Sequence, residues 1–228
     1  MRRLLSMQWR NVLFSHWPVP VQRVAESLPP GMTVDTCDGS AWLGVVPFRM
    51  EDIRPRGAPI GRRFHELNLR TYVTVDGTPG VYFYNLDADD RLGVSIARRF
   101  FRLPYYRAQM TVQRDGSRTR FQSVRTHDGV PNVQFRATYE PTGLSETPRP
   151  GSIAEFLTER YRFYVASDDD RIYFADIDHD PWVLQPATVE FERNDLFVAN
   201  GFDQPDSERL VHFSPGVDVT AGRLHRHR

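Results

Sequence analysis

Two Asp-Gly dipeptides, each set between short runs rich in β-branched and aromatic residues, constrain the fold of this chain more than any other feature. Asp76-Gly77 separates residues 67–75 from 81–86, and Asp115-Gly116 separates 111–114 from 119–124. Asp-Gly suits the positive-φ positions of a tight hairpin turn, so both runs predict antiparallel hairpins. Residues 42–50, 133–139, 171–176 and 183–192 are further strand candidates. Helix patterns are fewer, at 19–27, 91–101 and 152–160. The last of these opens on Ser152 and Glu155 at capping-box spacing. Proline and glycine gather at 29–31, 54–61 and 141–151, which read as loops. No repeat or low-complexity linker divides the chain. The expectation is one domain over residues 1–220, a frayed tail over 221–228, and an α+β fold. Its core is mostly antiparallel β, barrel-like or strongly curved, with about three helices.

Composition narrows the chemistry. Of the 228 residues, 29 are basic and 29 acidic, so the formal net charge is zero. A sequence-independent nucleic-acid binder relies on excess positive charge, so no nucleic-acid partner is expected. No apolar run reaches the length of a membrane span, and no membrane partner is expected. Arg2 and Arg3 imitate the start of a signal peptide, but Gln8, Arg10 and Asn11 interrupt the apolar stretch. The expected compartment is therefore the cytoplasm. The single cysteine, Cys37, excludes an internal disulfide and is most simply a small buried residue. All 29 basic residues are arginine. Without lysine, no side chain can form a Schiff base, and no P-loop can be built.

Several motifs are absent: GxGxxG, GxSxG and HExxH do not occur. The acidic runs at 87–90 and 168–170 lack the spaced ligands of an EF-hand and read as solvated turns. Asp176, Asp178 and Asp180 share one strand face while His179 takes the other, which works against a compact metal site. Neither a metal nor a cofactor is expected.

Four stretches hold candidate chemistry. On a strand, Glu66, Asn68, Arg70 and Tyr72 fall on one face, with Leu67, Leu69, Thr71 and Val73 on the other. The polar face is either an exposed sheet surface or the lining of a barrel or cleft. In a cleft, arginine can grip a carboxylate while glutamate moves a proton. Residues 97–106 place Arg98, Arg99 and Arg102 at a helix end, then Pro104 and the Tyr105-Tyr106 pair. Residues 156–161 bring Arg160 to a helix-to-strand junction, and His179-Asp-Pro-Trp182 is a turn carrying an imidazole and an indole.

Taken in order, these stretches resemble a family. Trp9, His16-Trp17, DG-x-AWLGVVPF (38–48), ELNLRTYV (66–73), PGVYFYNLDA (79–88), ARRFFRLPYYRA (97–108), FLTERY (156–161) and H-x-PW (179–182) look like the YqjF-like family, a domain of unknown function. That family in turn resembles the acetoacetate decarboxylase-like superfamily. There a strand glutamate and a Pro-Lys-Lys motif serve a pocket inside a barrel-like core, and the first lysine forms the Schiff base. The resemblance places Glu66 at the strand glutamate and Tyr105 at the Schiff-base lysine. It implies a barrel enclosing a pocket with Glu66 and Tyr105 facing it, and it does not carry over the decarboxylase activity.

Three functions remain open. The chain could be an enzyme that acts without a Schiff base on a small carboxylate or carbonyl compound. Glu66 and Tyr105 would then be catalytic, and Arg70, Asn68, Tyr106, Arg160, His179 and Trp182 would bind the substrate. It could be a non-catalytic protein that binds such a molecule in the same pocket. It could be a structural module whose aromatic strands form a homo-oligomer interface. The last requires a pocket filled by Phe and Tyr side chains.

Overall fold

The computed structural model describes residues 4–167 and 169–227. The elements run in the order β1 (Leu5–Val19), α1 (Val21–Ala25), β2 (Thr33–Val34), β3 (Ala41–Pro55), β4 (Arg62–Val75), β5 (Thr78–Ala88), α2 (Arg91–Phe101) and β6 (Tyr105–Asp115). They continue with β7 (Arg118–Arg125), β8 (Gln134–Pro141), α3 (Ile153–Thr158), β9 (Arg162–Ala166), β10 (Ile172–His179), β11 (Gln185–Asn194), α4 (Leu196–Ala199), β12 (Leu210–Ala221) and β13 (His225–Arg226). The class is the expected one, with strands dominating four short helices.

Both Asp-Gly hairpins form. Val75 pairs with Thr78 across Asp76-Gly77, and both turn residues have positive φ, the geometry that matches strand twist. Asp115 pairs with Arg118, closing the second hairpin. Pairing then runs β5-β6-β7-β8-β11-β12-β1-β3-β4 and returns to β5, a closed barrel of nine strands. The β5–β6 pair is parallel, so the chain needs a crossover there, and α2 supplies it. The β9–β10 pair bridges β5 to β12 and closes a second ring with the shared strands β1, β3 and β4.

Shared walls explain the composition of the central strands. One face of β1, β3 and β4 presents Leu13, Trp17, Leu43, Val45, Leu67 and Leu69 to Phe121 and Phe135 inside the nine-stranded barrel. The other face presents Phe14, Val46, Phe48, Met50 and Phe64 toward Leu86, Tyr105 and Trp182. Strands covered on both sides read as near-continuous apolar runs, as AWLGVVPF does. Pro47 fits within β3 because the β1–β3 register shifts between Arg10 and Ser15, leaving no regular ladder there to break.

Two strands were not read from the sequence, and two readings change. Residues 5–19 form β1, although Gln8, Arg10 and Asn11 interrupt their apolar pattern. The ladder to β12 continues past Asn11, which takes φ 53°. Residues 210–221 form β12 despite Pro215-Gly216. Gly216 lies so close to the backbone of Trp9 that a Cβ would sit 1.9 Å from its carbonyl oxygen. Within the tail expected over 221–228, Ala221 ends β12 and His225–Arg226 pair with β10. The helix expected over 19–27 shrinks to Val21–Ala25 because β1 runs through Val19 and Pro20 starts the turn. Arg2, Arg3, Asp168 and Arg228, used in the signal-peptide, acidic-turn and tail readings, lie outside the described residues. Among the described residues, no helix is long and apolar enough to cross a membrane.

Candidate functional site

The polar face of β4 points inward, so the exposed-surface alternative is excluded. Glu66 and Asn68 are each 3% exposed and Tyr72 is fully buried. Arg62, Phe64, Glu66 and Arg70, all on this face, line a cavity of about 240 Å³. Its walls are mostly apolar, including Met7, Trp9, Phe48, Met50, Phe83 and Phe163. The aromatic strands therefore leave space rather than fill it.

Strand register brings Glu66 and Tyr105 together. Asn68 pairs with Leu86, and Leu86 pairs in parallel with Tyr105 at the start of β6. Asp90 caps α2 by accepting from the Leu92 amide, Arg102 ends the helix in the left-handed region, and Pro104 prevents its continuation. Tyr105 therefore enters its strand with its ring inside. Its hydroxyl donates to Glu66 Oε2 at 2.5 Å, and Asn68 Nδ2 donates to Glu66 Oε1 at 3.2 Å. Burial disfavours the carboxylate more than these two donors favour it, which raises the Glu66 pKa from 4.5 to about 7. Burial and the neighbouring Glu66 also push the Tyr105 phenol well above its ordinary value. The pair therefore holds a carboxyl group near half-ionisation at neutral pH beside a hydroxyl that stays protonated.

Of the five arginines among the described residues that line the cavity, Arg54, Arg62, Arg160 and Arg162 pair with aspartates, and Arg70 does not. Its Nη2 donates to the Leu157 carbonyl at 3.0 Å and to the Tyr72 hydroxyl at 3.3 Å. Its guanidinium lies 5.4 Å from the centre of the Phe14 ring. Its Nε is buried without a hydrogen-bond partner. No carboxylate pairs with it among the described residues. Tyr72, already placed on this face by the sequence, and His16, which the sequence did not bring to the site, position it. Tyr72 donates to the Leu157 carbonyl at 2.6 Å, and His16 Nε2 lies 2.7 Å from the Tyr72 oxygen. Since the tyrosine proton goes to Leu157, His16 Nε2–H is the donor. Burial, with Arg70 nearby, holds the His16 pKa well below its ordinary value, which keeps the ring neutral. Gly44 makes room for it: a Cβ there would come within 2.8 Å of the imidazole. The signal was present in the alternation of β1 and β3, but only the fold brings Gly44 opposite His16.

The remaining candidates separate. Arg160 lines the cavity, but its charge is taken: Nη1 donates to Asp35 Oδ2 at 2.7 Å and Nε to the Phe156 carbonyl at 2.7 Å. His179 and Trp182 also line it. The His179 ring stacks on Tyr161 and its Nδ1 lies 2.8 Å from the Asp180 carbonyl, so that nitrogen is the donor. Trp182 meets Phe14 edge-on with centroids 4.9 Å apart. Asn68 touches Glu66 rather than the cavity, and its Oδ1 has no partner. Tyr106 is a correction: it faces away from Tyr105, as alternation on β6 requires. It lies under Arg125, 4.3 Å from guanidinium to ring centre, and does not line the cavity. The acidic run at 87–90 is also not a solvated turn. Asp87 is buried in a two-pronged pair with Arg125, at 2.6 and 2.8 Å, and Asp90 pairs with Arg62. Asp169 pairs with Arg171 at the surface, and Cys37 is half-buried in a turn. Among the described residues, no group of three or more His, Cys, Asp or Glu side chains is arranged to hold a metal.

A barrel of mixed strands with a buried strand glutamate facing a cavity defines a protein of acetoacetate decarboxylase-like fold. Solved structures agree. The enduracididine biosynthesis enzyme MppR, in complex with pyruvate, aligns with TM-score 0.65 over 99% of this chain and 91% of that one, at 14% identity. An acetoacetate decarboxylase-like enzyme from Sphingomonas wittichii RW1 aligns with TM-score 0.63 over 100% and 94%, at 13% identity. At the level of sequence, the chain belongs to the DUF2071 family, described as an uncharacterized conserved protein, whose model matches residues 6–218. The protein YqjF of Bacillus subtilis (strain 168) is 40% identical over 219 residues, covering 95% of this chain and 89% of YqjF.

Proposed function

We propose that this protein binds a small carboxylate that also carries a carbonyl group, and that Glu66 and Tyr105 exchange a proton with it without covalent attachment. The observation behind this reading is Arg70, a guanidinium with no acidic partner, in the same apolar cavity as the Glu66–Tyr105 pair. A cation in a largely apolar wall is incompletely compensated, and a bound carboxylate supplies the missing charge and bidentate hydrogen bonds. Glu66, with a pKa near 7, is suited to act as a general base at neutral pH.

Such a step would run as follows. The Glu66 carboxylate takes a proton from the carbon next to the substrate carbonyl. Electrons from that C–H bond move onto the carbonyl oxygen and form an enolate. Once protonated, Glu66 can donate to the Tyr105 oxygen, which frees the tyrosine proton to hydrogen-bond the enolate oxygen. After its proton exchanges with solvent, Glu66 returns a proton to the same carbon, the enolate electrons re-form the C–H bond and the carbonyl, and the Glu66 carboxylate is restored. The decarboxylase route is closed because the chain has no lysine for the Schiff base.

The neighbour crystallised with pyruvate makes pyruvate a suitable probe. In D₂O, the wild type should speed deuterium incorporation into the pyruvate methyl group, as read by proton NMR. Glu66→Gln should abolish that rate while keeping pyruvate affinity within about tenfold, since an amide retains the hydrogen-bonding shape but not the base. Binding without exchange in the wild type would leave a purely binding protein, the second reading, which the absence of lysine favours. Neither binding nor exchange would defeat both.

A further inference from the structure

The lining of the cavity follows one strand. Arg62, Phe64, Glu66 and Arg70 line it from one strand, and eight residues of strand span about 26 Å at roughly 3.3 Å per residue. A molecule the size of pyruvate held at Arg70 and Glu66 leaves the stretch from Phe64 to the mouth unused. That stretch is walled by Leu5, Met50, Phe83, Leu103 and Phe163. At roughly 30 Å³ per water-sized group, 240 Å³ holds about eight such groups. The mouth lies at α2. Ile96 lines the cavity and is also 43% exposed, and Ala97 and Phe101 complete that side.

The mouth also carries charge. Residues 53–63 and 91–102 contain four arginines each and no acidic residue, in a chain whose net charge is zero. Arg54 pairs with Asp52 and Arg62 with Asp90. Arg56, Arg91 and Arg99 have no acidic partner among the described residues. They lie within one or two positions of residues that line the cavity, inside the range of roughly 8 Å over which exposed charges act at physiological salt. A positive collar around an apolar channel concentrates anions and draws in those with an apolar body.

We infer that the natural ligand class is a medium-length, unbranched acyl carboxylate of about eight carbons. Its carboxylate sits on Arg70, and its chain runs past Glu66 and Tyr105 along β4 in the direction of α2. This inference rests on the carboxylate reading of Arg70 given above and extends it from a head group to a whole molecule. The apolar wall supplies the length preference, and the arginine collar sets the rate of entry.

The test is a calorimetric titration of straight-chain carboxylates from acetate to dodecanoate, with pyruvate alongside. Affinity should tighten about fourfold per added methylene up to about eight carbons, the increment expected when each CH₂ leaves water, and then level off. Ala97→Phe, placed at the mouth, should move the plateau to shorter chains without weakening pyruvate, and an unchanged melting temperature would show that it folds. Arg56→Ser combined with Arg91→Ser should slow octanoate association at low salt and leave dissociation unchanged. Affinity independent of chain length, or a plateau unmoved in a folded Ala97→Phe, would overturn this inference. Pyruvate binding that is lost in Arg70→Met would then still support the head-group reading. Absence of binding by every carboxylate, pyruvate included, would overturn both.

Discussion

Replacing Glu66 by glutamine should remove a specific pH dependence from the stability of the fold. In the unfolded chain this carboxyl titrates near 4.5, and in the folded protein at about 7, chiefly because it is buried. Below pH 4.5 both states hold the proton and the group contributes nothing to the pH slope. Between pH 4.5 and 7 the unfolded state releases its proton while the folded state keeps it, so stability falls as pH rises. Above pH 7 both states are ionised and the loss is complete. A shift of this size corresponds to about 3 kcal/mol at 1.36 kcal/mol per unit. For a chain of this length, that is a drop in melting temperature of roughly 6 to 12 °C. Glutamine should fit the site. Its carbonyl can accept from Tyr105, and Asn68, whose Oδ1 has no partner, can turn to accept from the new amide. Urea unfolding of wild type and Glu66→Gln at pH 5, 6, 7 and 8 makes the comparison, since every other titrating group cancels in the difference. The variant should gain roughly 2–3 kcal/mol on the wild type between pH 5 and pH 8. A difference that stays constant with pH would show that Glu66 ionises like an ordinary carboxylate and would refute the reasoning.

Three further predictions follow from neighbouring contacts. Tyr105→Phe removes the donor that favours the Glu66 carboxylate, so the wild-type loss of stability should extend to higher pH, visible in the same urea series. Asp87→Ala leaves Arg125 buried and unpaired, and should cost about 3–5 kcal/mol in chemical denaturation; a loss under 1 kcal/mol would mean that water reaches the arginine. Gly216→Ala places a methyl group on the Trp9 carbonyl and should separate β1 from β12, which amide hydrogen exchange at Arg10 and Val12 would report as lost protection.

What was legible in the sequence was local. The Asp76-Gly77 turn, the Ser152 cap, which accepts from the Glu155 amide, and the helix at 91–101 each depend on neighbouring residues and stand where they were read, while the second hairpin turns one residue later, at Gly116-Ser117. β1 and β12 were not legible because their polar interruptions are absorbed by distant partners: Asn11 and Gly216 take positive φ within a ladder that joins the two ends of the chain. The same division holds at the site. Alternation placed Glu66, Asn68, Arg70 and Tyr72 on one face, but a period of two cannot say whether that face meets water or a second sheet layer. β9 and β10, about ninety residues away or more, complete the ring that encloses it. Arg70 and Arg160 looked equivalent as anion holders until the fold placed Asp35 against Arg160. Tyr106 shows the opposite failure. It followed Tyr105 into the candidate site through the family resemblance, although strand parity already placed it on the other face. His16 was visible as a residue but not as a support for Arg70, since its link runs through Tyr72 on another strand.

The most direct test of the central claim is native mass spectrometry of the purified protein and of Arg70→Met. The account predicts a small carboxylate retained by the wild type, released on mild activation, and absent from the variant although it remains folded. An empty wild type that also fails to take up added pyruvate or octanoate, or a ligand retained equally by both proteins, would contradict it.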